Sequence, residues 1–189
     1  RALFASLGGR WEGKAPAERW LTHRYAVSYR QAPIFAAGLF SDTMEVAAPW
    51  SKLGALYHDV RRALGEHVFV MAHMSHAYAD GCCIYFTFVG SAARQSASAS
   101  HQEAQGWDAR CEETYDEAWR RALDAAERAG GTIAHHHGVG RSKAPRLARE
   151  LGPGGIAAVA ALMRAFDPKG ILNPGNLIHR ATPAHEASR

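Results

Sequence analysis

Two short runs of alternating apolar and polar residues, set close together, leave this chain little freedom in how it folds. In "VFVMAHMS" Val68, Val70, Ala72 and Met74 fall on one side. In "CCIYFTFV" Cys82, Ile84, Phe86 and Phe88 do the same, with Cys83, Tyr85 and Thr87 opposite. A period of two marks a half-buried strand, and the intervening "AYADG" ends in Asp-Gly, a hairpin turn signal. A hairpin with one apolar face needs a cover, and the flanking sequence supplies it.

Upstream, "SDTMEVAA" reads as a further strand around Met44–Ala47. Pro49 then opens a helix whose Trp50, Leu53, Tyr57, Val60 and Leu64 make one stripe, closed by Gly65. A long helix is expected over residues 101–129, with Trp107, Cys111, Tyr115, Ala118 and Ala122 at helical spacing and Gly130-Gly131 at its end. Two more helices, about 143–151 and 154–166, are separated by "GPGG"; the second carries Ile156, Val159, Met163 and Phe166 on one side. Residues 16–38 read as helical and broken at Pro33. "TIA" is expected as a short strand leading into the histidines, and "GSAARQSASAS" as a flexible loop. The expected class is α+β: a small antiparallel sheet with helices packed on one face, plus C-terminal helices. Residues 1–178 form the expected domain, with 1–40 as a helical lead-in and 179–189 as a flexible tail.

Bulk properties narrow the function. Of 189 residues, 47% are hydrophobic and 21% charged, an ordinary globular balance. The net charge of +4 is spread along the chain without a basic run, which argues against a nucleic-acid partner. Cys82, Cys83 and Cys111 make neither a CxxC pair nor a disulfide framework, so a reducing cytoplasmic setting is expected. No apolar stretch is long enough to span a bilayer. The chain begins without methionine, and it is expected to be part of something longer.

Several residues invite chemistry on their own account. "GGTIAHHHGVGRSK" places His135, His136 and His137 together before a glycine-rich turn. Imidazoles titrate near neutrality, so they suit proton transfer or anion binding. If the strand continued through them, His135 and His137 would share a face and His136 would point away. Tyr85 lies on the polar side of its strand, and a phenol serves in acid–base work where nearby cations lower its pKa. His73 and His76, three apart on a strand, should face opposite ways and so should not clamp one metal ion. A hairpin centred on Ala79 sets His73 across from Tyr85, whereas a tight turn at Asp80-Gly81 sets His76 there. Glu45 sits beside the first strand as an acid or an arginine partner, with no assigned role.

Taken in order, "TMEVAAPWSKL", "SHAYADGCCIYFTF", "SAARQ…GGTIAHHHGVG" and "FDPKGILNPGNL" resemble the C-terminal half of alkylglycerone-phosphate-synthase-type flavoproteins. These belong to the vanillyl-alcohol-oxidase class of FAD-linked oxidases. The resemblance runs from about residue 18 to 178. "HHHGVG" with "CCIYF" points to the synthase-like branch, while "DPKGILNPG" is common to many FAD-linked oxidases. The resemblance implies FAD as cofactor, held mainly by an N-terminal FAD-binding domain that has no counterpart in this sequence. The present chain would be the cap over the flavin ring and the wall of the substrate pocket.

The resemblance also implies roles. Tyr85 would be the proton donor and acceptor, and His135, His136 and His137 would support it. Arg30, in "VSYRQAP", would bind a substrate phosphate, although Gln31 stands where relatives often carry aspartate. His73 and His76 would line the substrate site, and Asn173 and Gly175 would approach the flavin. No metal is assigned, because the acidic pattern of the metal-binding FAD-linked dehydrogenases is absent. The implied reaction exchanges acyl for alkyl on acyl-dihydroxyacetone phosphate, making an ether bond with the flavin restored in each cycle. Its rivals are a flavin-dependent oxidase or dehydrogenase of 2-hydroxy acids or alcohols, and a non-catalytic isolated cap. The expected partners are an anionic, lipid-like small molecule and the FAD-binding domain, with room for peripheral membrane contact and a homodimer.

Overall fold

The computed structural model describes residues 2–26, 29, 31–91 and 101–178, with backbone alone over 101–108. It divides into two compact units, residues 1–41 and 42–189. Among the described residues the first holds three short helices: α1 (Ala2–Ser6), α2 (Ala15–His23) and α3 (Ala32–Ala36). Prolines sit in the first turn of α2 and of α3, where the missing N–H costs nothing. None of the three helices has a buried residue. Strand β1 (Phe40–Pro49) then enters the second unit.

There follow helix α4 (Trp50–Gly65), strands β2 (Phe69–Ala77) and β3 (Gly81–Gly90), and helices α5 (His101–Arg128) and α6 (Ala144–Phe166). The antiparallel sheet has the order β1-β3-β2, with the most apolar strand in the middle. Ile84, Phe86 and Phe88 of β3 are fully buried, together with Met44 and Val46 of β1. Leu53, Leu56, Val60 and Leu64 of α4 cover them. Helix α5 packs on α4 and β3 and buries Ala118, Ala122, Leu123, Ala125 and Ala126, the four alanines being small enough to let two helices share one sheet face. Phe88 meets Tyr115 and Trp119 of α5, and Asp42 accepts hydrogen bonds from Tyr115 Oη (2.5 Å) and Trp119 Nε1 (3.2 Å). Burial, and then Asp42, push the Tyr115 hydroxyl pKa well up, so that it remains a proton donor.

Several details depart from the sequence reading. Strand β1 is ten residues long because its polar start, Ser41-Asp42-Thr43, also pairs, with Thr43 and Thr87 hydroxyls 3.0 Å apart. In α4 the stripe shifts: Leu56 is buried, while Trp50 is exposed and gives its indole N–H to the Tyr78 carbonyl. At the far end of β2 the helices no longer reach the sheet, and Ala72 and Met74 lie exposed despite their apolar parity. Helix α6, by contrast, is the expected pair of helices in line, divided by non-helical backbone at Gly152 (φ 67°) beside Pro153. Its Ile156, Val159 and Met163 are half-buried and Phe166 is exposed. Of the loop expected over 90–100, Gly90 ends β3, while residues 92–100 and the tail from 179 onward lie outside the described residues.

The segment after α5 decides where the site forms. Gly130 adopts φ 73°, and its N–H and that of Gly131 bond back to Glu127 and Ala126, closing the helix in a Schellman motif. The chain then runs beside β1: Thr132 N–H bonds the Ala47 carbonyl (2.8 Å), and Ala47 N–H bonds Thr132 Oγ1 (3.0 Å). A Cβ at Gly131 would lie 2.8 Å from Leu56 Cδ1 and 3.2 Å from the Ala47 carbonyl oxygen, so this close approach favours glycine. "TIA" is irregular backbone and not a strand.

Candidate functional site

The face of the sheet turned away from α4 and α5 carries Glu45, Cys83 and Tyr85, and the segment that left α5 lays the three histidines over it. His136 is the one that reaches Tyr85, with Tyr85 Oη 2.5 Å from His136 Nε2. The expectation that His136 would point away from a face shared by His135 and His137 held only for a strand through the triplet. With no strand through the triplet, two-residue alternation does not apply, and the ring of His137 also lies 5.3 Å from that of Tyr85.

Strand β2 supplies the other wall. His73 pairs with Tyr85 across the hairpin, ring centroids 6.2 Å apart. Between Met74 and Ala77 the register slips, so that Ser75 and His76 oppose the single residue Cys83. Such a bulge re-aims the residues after it. His76 therefore lies 6.3 Å from Tyr85 and 4.7 Å from His136, ring to ring. Of the two readings of the hairpin, the one that sets His73 across from Tyr85 holds and the one that sets His76 there does not; His76 joins the same side through the bulge. The expectation that the two would face opposite ways is corrected by the bulge.

Beneath the rings lies Glu45, fully buried. Its Oε2 accepts the backbone N–H groups of His135, His136 and His137 at 2.9, 3.0 and 3.2 Å. Its Oε1 accepts the Cys83 thiol (3.1 Å) and lies 3.0 and 3.1 Å from the Nδ1 atoms of His135 and His136. Those two Nδ1 atoms are themselves 3.0 Å apart. Burial works against the charge, but the Cys83 and backbone hydrogen bonds prevail and hold the Glu45 carboxyl down at about 2. Burial, then the Glu45 hydrogen bond and charge, push the Cys83 thiol up to about 12. Lys143, buried and 5.6 Å over the Trp119 ring, has its pKa lowered by burial, against the pull of Glu45, Asp42 and Glu150.

Glu45, Cys83, His135 and His136 bring ligand atoms within 4.8 Å of one another, a grouping that could hold a metal ion. Sequence reasoning assigned no metal and missed this convergence. Within the chain, however, both carboxylate oxygens already accept hydrogen bonds, and a thiol held protonated is a poor ligand. The signal for Glu45 was slight: a single acid inside an apolar strand, on the parity that faces away from the helices. Its histidine partners lie 90 to 92 residues away in sequence.

Asn173 and Gly175 belong to a turn with left-handed backbone at both positions (φ 42° and 85°). Leu177 N–H bonds the Gly140 carbonyl (3.2 Å), and a Cβ on Gly175 would lie 3.5 Å from Arg141 Nε. This turn is thereby fixed against the end of the histidine segment. Arg30, the expected phosphate ligand, lies outside the described residues. Tyr85 and the imidazoles of His73, His76, His136 and His137 on one side, with the Glu45 carboxylate buried beneath, are groups that suit the carbonyl and nitrogen acceptors of a flavin ring. No strand–turn–helix phosphate loop accompanies them among the described residues.

No helix among the described residues is long and apolar enough to cross a membrane. Against curated proteins, the chain is 27% identical over 183 residues to alkyldihydroxyacetonephosphate synthase of Trypanosoma brucei brucei, covering 93% of this chain and 28% of that protein. It is 29% identical over 173 residues to the Dictyostelium discoideum protein of the same name, covering 88% and 26%. The chain thus spans about a quarter of the length of these relatives. A solved alkyldihydroxyacetonephosphate synthase shares the fold, with a TM-score of 0.51 at 24% identity over 88% of this chain and 25% of that one. The family model described as FAD linked oxidases, C-terminal domain, matches residues 10–177, and to that family of FAD-using proteins the chain belongs.

Proposed function

We propose that the chain is the substrate cap of an FAD-dependent enzyme that exchanges acyl for alkyl on acyl-dihydroxyacetone phosphate, working with an N-terminal FAD-binding domain. The observation that carries this reading is the Tyr85–His136 contact of 2.5 Å on the open side of the sheet, flanked by His73, His76 and His137. A phenol whose oxygen meets an imidazole nitrogen has both a proton to give and a place to send it. An exchange of this kind needs a proton removed from the substrate carbon and later restored, and Tyr85 is the group set to do both. Bound FAD would supply an electrophilic ring against which the substrate carbon is held during the exchange. Asn173 and Gly175, on the turn fixed to Gly140, would border that ring.

The imidazoles of His73 and His76 add donors suited to an anionic substrate group. Arg30 would provide a bidentate phosphate contact. The likeness to synthases along most of the chain supports this choice of substrate class. The test is to incubate the chain with its FAD-binding domain, acyl-dihydroxyacetone phosphate and a labelled long-chain alcohol. Labelled ether product with an unchanged flavin spectrum is expected. Bleaching of the flavin by a 2-hydroxy acid, with no ether formed, would overturn the proposal in favour of an oxidase.

A further inference from the structure

We infer that the outer edge of β2, from Phe69 to Met74, pairs with an extended segment of the polypeptide that carries the FAD-binding domain, adding a strand to the sheet. The inference rests on the reading above that the chain works with such a domain.

Of the two edges of the sheet, one is sheltered. The segment after α5 lies along β1, tied by Thr132 N–H to the Ala47 carbonyl and by Ala47 N–H to Thr132 Oγ1. The other edge belongs to β2, and among the described residues no strand pairs with it. Strand β2 keeps unbroken antiparallel register with β3 from Phe69 through Met74, a run of about 20 Å. Backbone groups of alternate residues in such a pair face the neighbouring strand, and the others face outward. This edge therefore offers a regular row of N–H and C=O groups.

Edge strands that stay unpaired carry devices against pairing: charges, proline, a bulge or a short length. The sequence of β2, "FVMAHMSHA", has no Lys, Arg, Asp, Glu or Pro. Its bulge at Ser75-His76 lies past the regular run. Phe69 and Met71, on the open face, are 67% and 49% exposed. A long, uncharged, apolar edge is built for pairing, and extended backbone supplies the matching donors and acceptors.

Two observations choose the occupant. His73 and His76, the wall of the Tyr85 site, stand on this same strand, so a body that brings FAD to Tyr85 meets this edge. The relatives matched along most of this chain have only 28% and 26% of their own length in the match, which leaves ample polypeptide to supply a strand. Held beside the cap, such a segment pairs at high effective concentration. Its side chains next to Phe69 and Met71 are apolar, and those next to His73 are polar. A second copy of the chain would instead pair β2 with β2 across a two-fold axis.

The test is hydrogen exchange at single-residue resolution on the chain with its FAD-binding domain bound. Samples are diluted until sedimentation shows one copy of each. All six amides from Phe69 to Met74 are expected to exchange at least about 100-fold more slowly than unstructured peptide. An alternating pattern, with every second amide within about tenfold of the unstructured rate, would overturn the pairing. Protection that disappears as two-copy particles dilute to one copy would overturn the occupant in favour of a second copy. Failure of the chain to bind the FAD-binding domain would overturn it as well. If no ether product forms while all six amides stay slow, the proposed reaction fails and the pairing stands; ether product with an alternating pattern gives the reverse.

Discussion

The two sides of strand β3 are a residue apart and obey different rules. Ile84, Phe86 and Phe88 are fully excluded from solvent and touch side chains that α4, α5 and β1 bring to them. Cys83, Tyr85 and Thr87 alternate with them and meet hydroxyl, carboxylate and imidazole groups instead. The helix side stabilises the fold through area removed from water, which depends on shape and volume. The open side uses a buried carboxylate to hold a loop in place, which depends on individual hydrogen bonds. One side makes the domain, and the other makes the chemistry possible.

If that division holds, substitutions should separate cleanly. Phe86→Ala, at a fully buried site, should cost about 3–5 kcal/mol in denaturant unfolding. A much smaller loss would mean that the helix side is not the core. Asp42→Ala should cost about 1–3 kcal/mol, because Tyr115 and Trp119 both lose a carboxylate acceptor.

The Glu45 carboxyl adds a pH signature. Held down to about 2 from an ordinary value of 4.5, it contributes stability that is complete above pH 4.5 and lost as pH falls towards 2. The urea midpoint of the wild type should drop through that window more steeply than that of Glu45→Gln; equal slopes would mean the carboxylate is not held as described. At the small end, Met74→Ser should change stability by less than about 0.5 kcal/mol, because the apolar parity of Met74 leads to an exposed position.

These cases also mark what was legible in the sequence. The parity of β3 and the stripe of α4 could be read because both arise from short-range periodicity facing one continuous cover. The exposure of Ala72 and Met74 could not, because parity says which way a side chain points and not how far the covering helices extend. The bulge at Ser75-His76 has no signature in "HMSHAYADG", yet it decides that His76 joins Tyr85. The triplet was visible as a cluster, but its geometry comes from Glu45 gripping three N–H groups, a contact across 90 residues or more. Loss of strand alternation there follows from that grip.

The central claim is that Tyr85 serves chemistry and not the fold, and Tyr85→Phe in the chain with its FAD-binding domain tests it most directly. The account predicts an unfolding free energy within about 0.5 kcal/mol of wild type and exchange activity lower by about 100- to 10,000-fold. Retained activity, or a loss of stability comparable to that of Phe86→Ala, would contradict it.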